Sequence, residues 1–153
     1  MASFTGFVPA AERLRVVLDT NVYVAAFHSP RGNHAKVWQA ARSGTFDAVV
    51  SRPILAEVTR VLRRLNLAEP SVQGALREIA HVAKVVSPRP MGEVPLSDPY
   101  DVHILECALE GRADLIVSND HHLLNLDVWA GIPIIAAPDF RRMITRQTRR
   151  TTK

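Results

Sequence analysis

The seven residues RLRVVLD (13–19) constrain this chain more than any other stretch. They are mostly apolar without a strict alternation, the pattern of a strand buried on both faces. Such strands belong to parallel sheets covered by helices on both sides. The run ends on Asp19, and Thr20 and Asn21 follow before a second apolar block, Val22–Val24. A carboxylate, a hydroxyl and an amide between two apolar blocks need a physical reason to be there.

The rest of the chain alternates in the same sense. Strands are expected at 46–51, in AKVVS (83–87), at 114–118 and at 132–136. Helices are expected at 34–44, stopping at Gly44, and at 52–65, with Ser51 as N-cap and Pro53 in the first turn. SVQGALREIAHV (71–82) should form another, and 100–111 should be closed by Gly111. HHLL (121–124) reads as a helical turn and PDFRRMI (138–144) as a last helix. This order implies an α/β fold, a three-layer α/β/α domain with a central parallel sheet. The domain is expected over 13–145, after a leader at 1–12 and before a basic tail at 146–153.

The 153 residues, 47% hydrophobic, suffice for one domain with a substantial core. No apolar run is long enough for a bilayer, and no secretory signal is visible at the start. Cys107 is the single cysteine, so no intrachain disulfide can form. A cytoplasmic protein is the expectation. The net charge of +4 is uneven: the residues from Phe140 onward carry +6 and no acid, and the remainder carries −2. This end reads either as a solvated terminus or as an arm that attracts phosphates.

Four acids stand in unusual places. Asp19 ends the first strand, and Asp120 follows LIVS (115–118), at the carboxyl rim where α/β domains build their sites. Glu57 borders the apolar stripe of its helix. Asp101 falls inside the stripe expected from Val102, Leu105, Ala108 and Leu109, where a lone charge is costly. Each has a local explanation. Asp19 or Asn21 can cap a following helix, and Asp120 can do the same for 121–124. Glu57 can pair with Arg60 at i,i+3. Asp98 or Ser97 can cap the helix that holds Asp101, although capping does not require Asp101 to face inward. Their coincidence is harder to explain locally. Carboxylates gathered in one cleft repel one another unless cations neutralise them. An all-oxygen set suits Mg2+ or Mn2+ rather than zinc.

VVLDTNV (16–22), ILAEVTRVL (54–62), DPYDVHILECALEGRADLIVSND (98–120) and the following HHLL together resemble the PIN domain family, and within it the VapC-like toxins of toxin–antitoxin pairs. The resemblance spans about residues 14 to 144. It implies an Mg2+- or Mn2+-dependent endoribonuclease with Asp19, Glu57, Asp101 and Asp120 as the catalytic and metal-binding acids. Asn21, Ser118 and Asp98 match supporting positions. The chain departs from the family pattern at Tyr100, Val102 and Asn119, beside the acids rather than at them.

On this reading Asp19, Asp101 and Asp120 hold the cation, with Glu57 acting directly or through water. A second cation arrives with substrate, and the 3′ oxygen is the leaving group. The resemblance further implies an RNA substrate, a cognate antitoxin and a homodimer, its face drawn from exposed apolar residues of 52–84. Arg31, Lys36, Arg52 and Arg60 are candidates for attracting the polyanion, and Trp38 and Trp129 read as core or interface residues. Other readings are a catalytically weak RNA- or partner-binding module and a DNA-directed nuclease. A HAD-type phosphatase would need an acid where Asn21 stands. Glycine-rich nucleotide loops are absent, and the adjacent His121 and His122 point apart on a helix, which disfavours zinc.

Overall fold

A computed structural model describes residues 13–92 and 98–151. The expected leader at 1–12, the alternative cap Ser97 and the last two tail residues lie outside them.

The elements run β1 (Arg15–Leu18), α1 (Thr20–His28), α2 (Asn33–Arg42), β2 (Asp47–Ser51), α3 (Arg52–Arg64), α4 (Glu69–Val82) and β3 (Lys84–Val86). Then come α5 (Pro99–Glu110), β4 (Leu115–Val117), α6 (His121–Leu124), β5 (Val128–Trp129), β6 (Ile132–Ile135) and α7 (Ala137–Thr151). The sheet order is β3-β2-β1-β4-β6-β5. Every pairing is parallel except β5 with β6. The chain builds outward from β1 in one direction and returns to its other side with β4. The boundary between β1 and β4 is therefore the topological switch point, where α/β sheets open a crevice at their carboxyl ends.

Burial explains the unalternating strands. Val16, Val17, Leu18, Val49, Val50, Ile116 and Val117 are all fully covered, because helices pack on both faces of the sheet. Phe46 and Phe140 meet edge to face at 4.9 Å and tie the start of β2 to α7. Each fully buried aromatic of this kind contributes about 1.5–3 kcal/mol of transfer free energy. Trp38 is a core residue of α2, packed on Tyr23 and Phe27. Trp129 is half-buried in β5.

Local signals account for the helix ends. Ser51 caps α3 by accepting from the Ile54 N–H, and Pro53 sits in the first turn. Gly44 takes a φ of 82° just after α2, in the left-handed region that stops a helix. Gly111 ends α5 with an ordinary negative φ. It is needed for another reason: a Cβ there would lie 2.4 Å from Val49 Cγ1. Thus α5 lies against β2 at a distance only glycine permits.

The structure supplies the helix suggested after Asp19 and changes two expectations. The stretch after Asp19 is a nine-residue helix, α1. The buried set of α5 is Asp101, Ile104, Leu105, Cys107 and Ala108, whereas Val102 is half-buried and Leu109 exposed. This helix is covered by α3 as well as by the sheet, so its buried arc is wider than one stripe. Finally, α7 continues to Thr151, through the tail boundary expected at residue 146.

Candidate active site

The rim at the β1–β4 boundary collects the acids. Asp19 occupies the N-cap position of α1, yet its side chain makes no capping bond. Its Oδ2 instead accepts from the Ser118 hydroxyl at 2.6 Å, across 99 positions of sequence. The same Ser118 oxygen accepts the Asp120 N–H at 2.9 Å. One buried hydroxyl therefore fixes both strand-end acids. Asp19 is 5% exposed. Burial pushes its carboxyl up to about 6, against the opposing hydrogen bonds from Ser118 and the Thr20 backbone; Asp120 and Asp98 add repulsion.

Asp101 stands in the first turn of α5, 4% exposed, and its Oδ2 has no hydrogen-bond partner among the described residues. A buried carboxylate oxygen without a partner carries a desolvation cost that something must offset. Its carboxyl is pushed up to about 6, first by burial and then by Asp120, Asp98 and Asp19, with His122 acting the other way. Two carboxyls titrating near 6 within one acidic cluster mark a place where cation binding is favoured over the empty charged state.

Asp120 and Asp98 do cap helices. Asp120 Oδ1 accepts from the His122 N–H at 2.7 Å, and Asp98 Oδ1 from the Tyr100 N–H at 2.9 Å. In each case the second carboxylate oxygen lies outside the capping bond. Glu57, 7% exposed on α3, takes the ion-pair alternative: both its oxygens accept from Arg60 Nη2, at 2.6 and 2.7 Å. The Arg60 guanidinium also lies 4.5 Å from the centroid of the Tyr100 ring.

A cavity of about 340 Å³ joins these side chains. Asp19, Glu57, Asp98, Asp101 and Asp120 line it, with Asn21 exposed at its edge; Ser118 is buried and bonded to Asp19. The seven candidate residues are thus brought to one place. Thr20, Val61, Arg64 and Tyr100 also line the cavity, although none of them was proposed as a site residue. The spacing held the signal for Arg64, which stands seven residues after Glu57 and four after Arg60, on one helical face. Of the four cations proposed to attract substrate, Arg60 reaches the cavity, while Arg31, Lys36 and Arg52 are not among its lining residues.

Among the described residues, no group of three or more His, Cys, Asp or Glu side chains is arranged to hold a metal by itself. The residues nevertheless fit a hydrated hard cation. The donors are carboxylate oxygens, Asp101 Oδ2 is unpartnered, and Mg2+ binds through one or two carboxylates while keeping several waters.

The PIN domain family model matches residues 15–122, more than half of the chain and the whole of this site. The chain belongs to the PIN domain family. PIN domains are generally metal-dependent nucleases that use divalent cations. No curated protein matches this PIN domain chain. Among solved structures, it is similar to VapBC2 from Rickettsia felis, determined bound to a DNA fragment from their promoter. There the TM-score is 0.61 and the identity 14%, over 80% of this chain and 98% of the other. It is also similar to PAE2754 from Pyrobaculum aerophilum, with a TM-score of 0.57 and 16% identity over 95% and 96% of the two chains. At these identities the likeness is one of fold.

Proposed function

We propose that this PIN domain is an Mg2+- or Mn2+-dependent endoribonuclease and the toxin of a toxin–antitoxin pair. The observation that carries the reading is Asp101: a buried carboxylate with an unpartnered oxygen, in one cavity with Asp19 and Asp120. Asp19, Asp101 and Asp120 would hold the cation. When bound, it neutralises charge on the scissile phosphate and acidifies a water molecule.

The chain's own residues supply position and charge. Ser118 fixes the Asp19 carboxylate and the Asp120 backbone relative to each other. Asn21, in the first turn of α1, offers an amide at the cavity edge. The Glu57–Arg60 pair orients a guanidinium at the wall, where it offers positive charge to an incoming phosphate. Water adds across the phosphodiester: its oxygen bonds to phosphorus, the P–O3′ bond breaks, and the departing O3′ takes a proton.

The test is cleavage of a mixed RNA pool with Mg2+ or Mn2+, with and without EDTA, comparing wild type with Asp19→Asn and Asp101→Asn. Loss of cleavage in both variants and in EDTA supports the enzyme. RNA bound equally by all three proteins and cut by none overturns it. That second outcome describes a catalytically weak RNA-binding module, which the engagement of Glu57 by Arg60 favours because it removes one acid from the cluster. Cleavage of DNA instead of RNA marks a DNA-directed nuclease.

The toxin assignment rests on the fold shared with VapBC2, and it predicts a small antitoxin that binds this chain and inhibits cleavage. The absence of any helix long and apolar enough to cross a membrane, among the described residues, fits a cytoplasmic toxin. A homodimer is also proposed; Leu65, the large apolar residue left exposed within 52–84, is the candidate for its face, and the exposed Val85 lies just beyond that stretch.

A further inference from the structure

The acid cavity repels the polyanion it is proposed to cut, so the substrate needs a positively charged surface close by. The structure offers one away from Arg60 and Arg64. Between α7 and the first residue of α2 lies a groove of about 350 Å³, lined by Asn33, Pro138, Arg141, Arg142, Thr145 and Arg146. No acid lines it. On α7, Phe140 and Ile144 face the core, which leaves Arg141, Arg142, Thr145 and Arg146 on the outer side.

The charges of this groove are poorly balanced within the chain. Asp139 is the one acid of α7, and Arg142 pairs with it. Arg141 donates to Asn33 Oδ1 at 2.5 Å, a neutral acceptor that leaves its charge uncompensated. Arg146 has no ion-pair partner among the described residues. Arg142 and Arg146 stand at i,i+4, where like charges destabilise a helix. A bound polyanion would relieve that repulsion.

Hydrogen bonds of Asn119 link residues beside the groove to the acid site. Asn119, between Ser118 and Asp120, donates from Nδ2 to His34 Nε2 at 2.5 Å and accepts the Ala137 N–H at 3.3 Å. His34 follows the groove residue Asn33, and Ala137 begins the arginine helix. Burial lowers the His34 pKa, consistent with a neutral ring that accepts this bond.

We propose that the α2–α7 groove binds the phosphodiester backbone of the substrate strand as it leaves the acid cavity past Asn119, with Arg141, Arg142 and Arg146 as its phosphate ligands. The proposal rests on the nuclease reading for the identity of the strand. Its test does not depend on catalysis.

Binding of labelled single-stranded RNA to the full chain is measured by fluorescence anisotropy in EDTA, from about 50 to 200 mM salt. A strand long enough to reach the groove is compared with a short one that fills only the cavity. Each phosphate contact to a single strand contributes about 0.7 to the slope of log affinity against log salt. Arg141→Gln with Arg146→Gln should therefore reduce the long-strand slope by about 1.4 and leave the short strand unaffected. Thr145→Glu keeps every arginine, places a negative charge in the groove, and should weaken the long strand in the same direction. It decides the matter if loss of the Arg141–Asn33 bond unfolds the glutamine variant. DNA of the same sequence should show the same loss, because the contact is to backbone.

Unchanged slopes in folded variants overturn the proposal. So does polyglutamate binding that responds to these substitutions while neither nucleic acid does, since the groove would then fit an acidic protein. If RNA cleavage fails but the slopes change, the nuclease reading falls and the groove stands. If cleavage is intact and the slopes are unchanged, the reverse holds.

Discussion

Asp101→Asn should make the cation-free protein more stable while abolishing its proposed activity. The carboxyl of Asp101 rises from 3.8 to about 6 on folding. At neutral pH that shift corresponds to about 3 kcal/mol of unfavourable free energy, at 1.36 kcal/mol per pKa unit. The cavity opens to water, which screens the repulsion, so about 1–2 kcal/mol is the reasonable expectation. Asparagine has the same shape, removes the charge, and brings an N–H donor to face the remaining acids.

For a domain of this length, the gain raises the melting temperature by roughly 2–8 °C. The pH dependence has a definite direction. The folded chain holds this proton more tightly than the unfolded chain. The carboxyl's contribution is thus most favourable below about pH 4, is lost as pH rises from about 4 to 6, and stays lost above that. The advantage of the variant should accordingly appear between pH 4 and 6 and level off by pH 7. Differential scanning calorimetry in EDTA across this range measures it. An Asp101→Asn protein that melts at or below the wild-type temperature at pH 7.5 would refute the account of Asp101 as an unpaired buried charge.

Mg2+ or Mn2+ should raise the wild-type melting temperature at pH 7.5, less at pH 5, and hardly at all in Asp101→Asn; an equal rise in both proteins at both pH values would separate cation binding from this cavity. Ser118→Ala removes the hydroxyl that serves both Asp19 and Asp120 and should cost about 1.5–3 kcal/mol in urea unfolding, since one of its bonds is to a charged group. Arg60→Ala leaves Glu57 buried without its partner and should lower the melting temperature; adding Glu57→Gln should restore part of the loss, and no recovery would mean that the pair is not coupled. Gly111→Ala drives a methyl into Val49 and should destabilise by about 1–3 kcal/mol, with near-wild-type stability showing that α5 can move away from β2.

How much the sequence disclosed depended on whether each element had a single partner. RLRVVLD announced β1 because it is covered on both faces and shows no alternation. The helix over 52–64 was legible because it has one apolar stripe and a serine cap. By contrast, α1 buries Thr20, Val22, Tyr23, Val24 and Ala26, so its β-branched, nearly all-round apolar surface carries no clear period. The two residues of β5 are too few for any pattern. The acids stood out because each interrupts an apolar run or follows one. The local partners were legible as well, Arg60 for Glu57 and the helix caps of Asp98 and Asp120; the contacts between distant elements were not, since the Ser118 hydroxyl reaches Asp19 through the pairing of β1 with β4, and the stacking of Arg60 on Tyr100 joins two helices.

The pairing of β1 with β4 also has a consequence for biosynthesis. Asp19 leaves the ribosome early, whereas Ser118 and Asp120, which fix and complete its surroundings, are made about a hundred residues later. A nascent or truncated chain therefore possesses isolated acids and no pocket. On the proposed function, the chain cannot cut the message that encodes it until translation has passed Asp120.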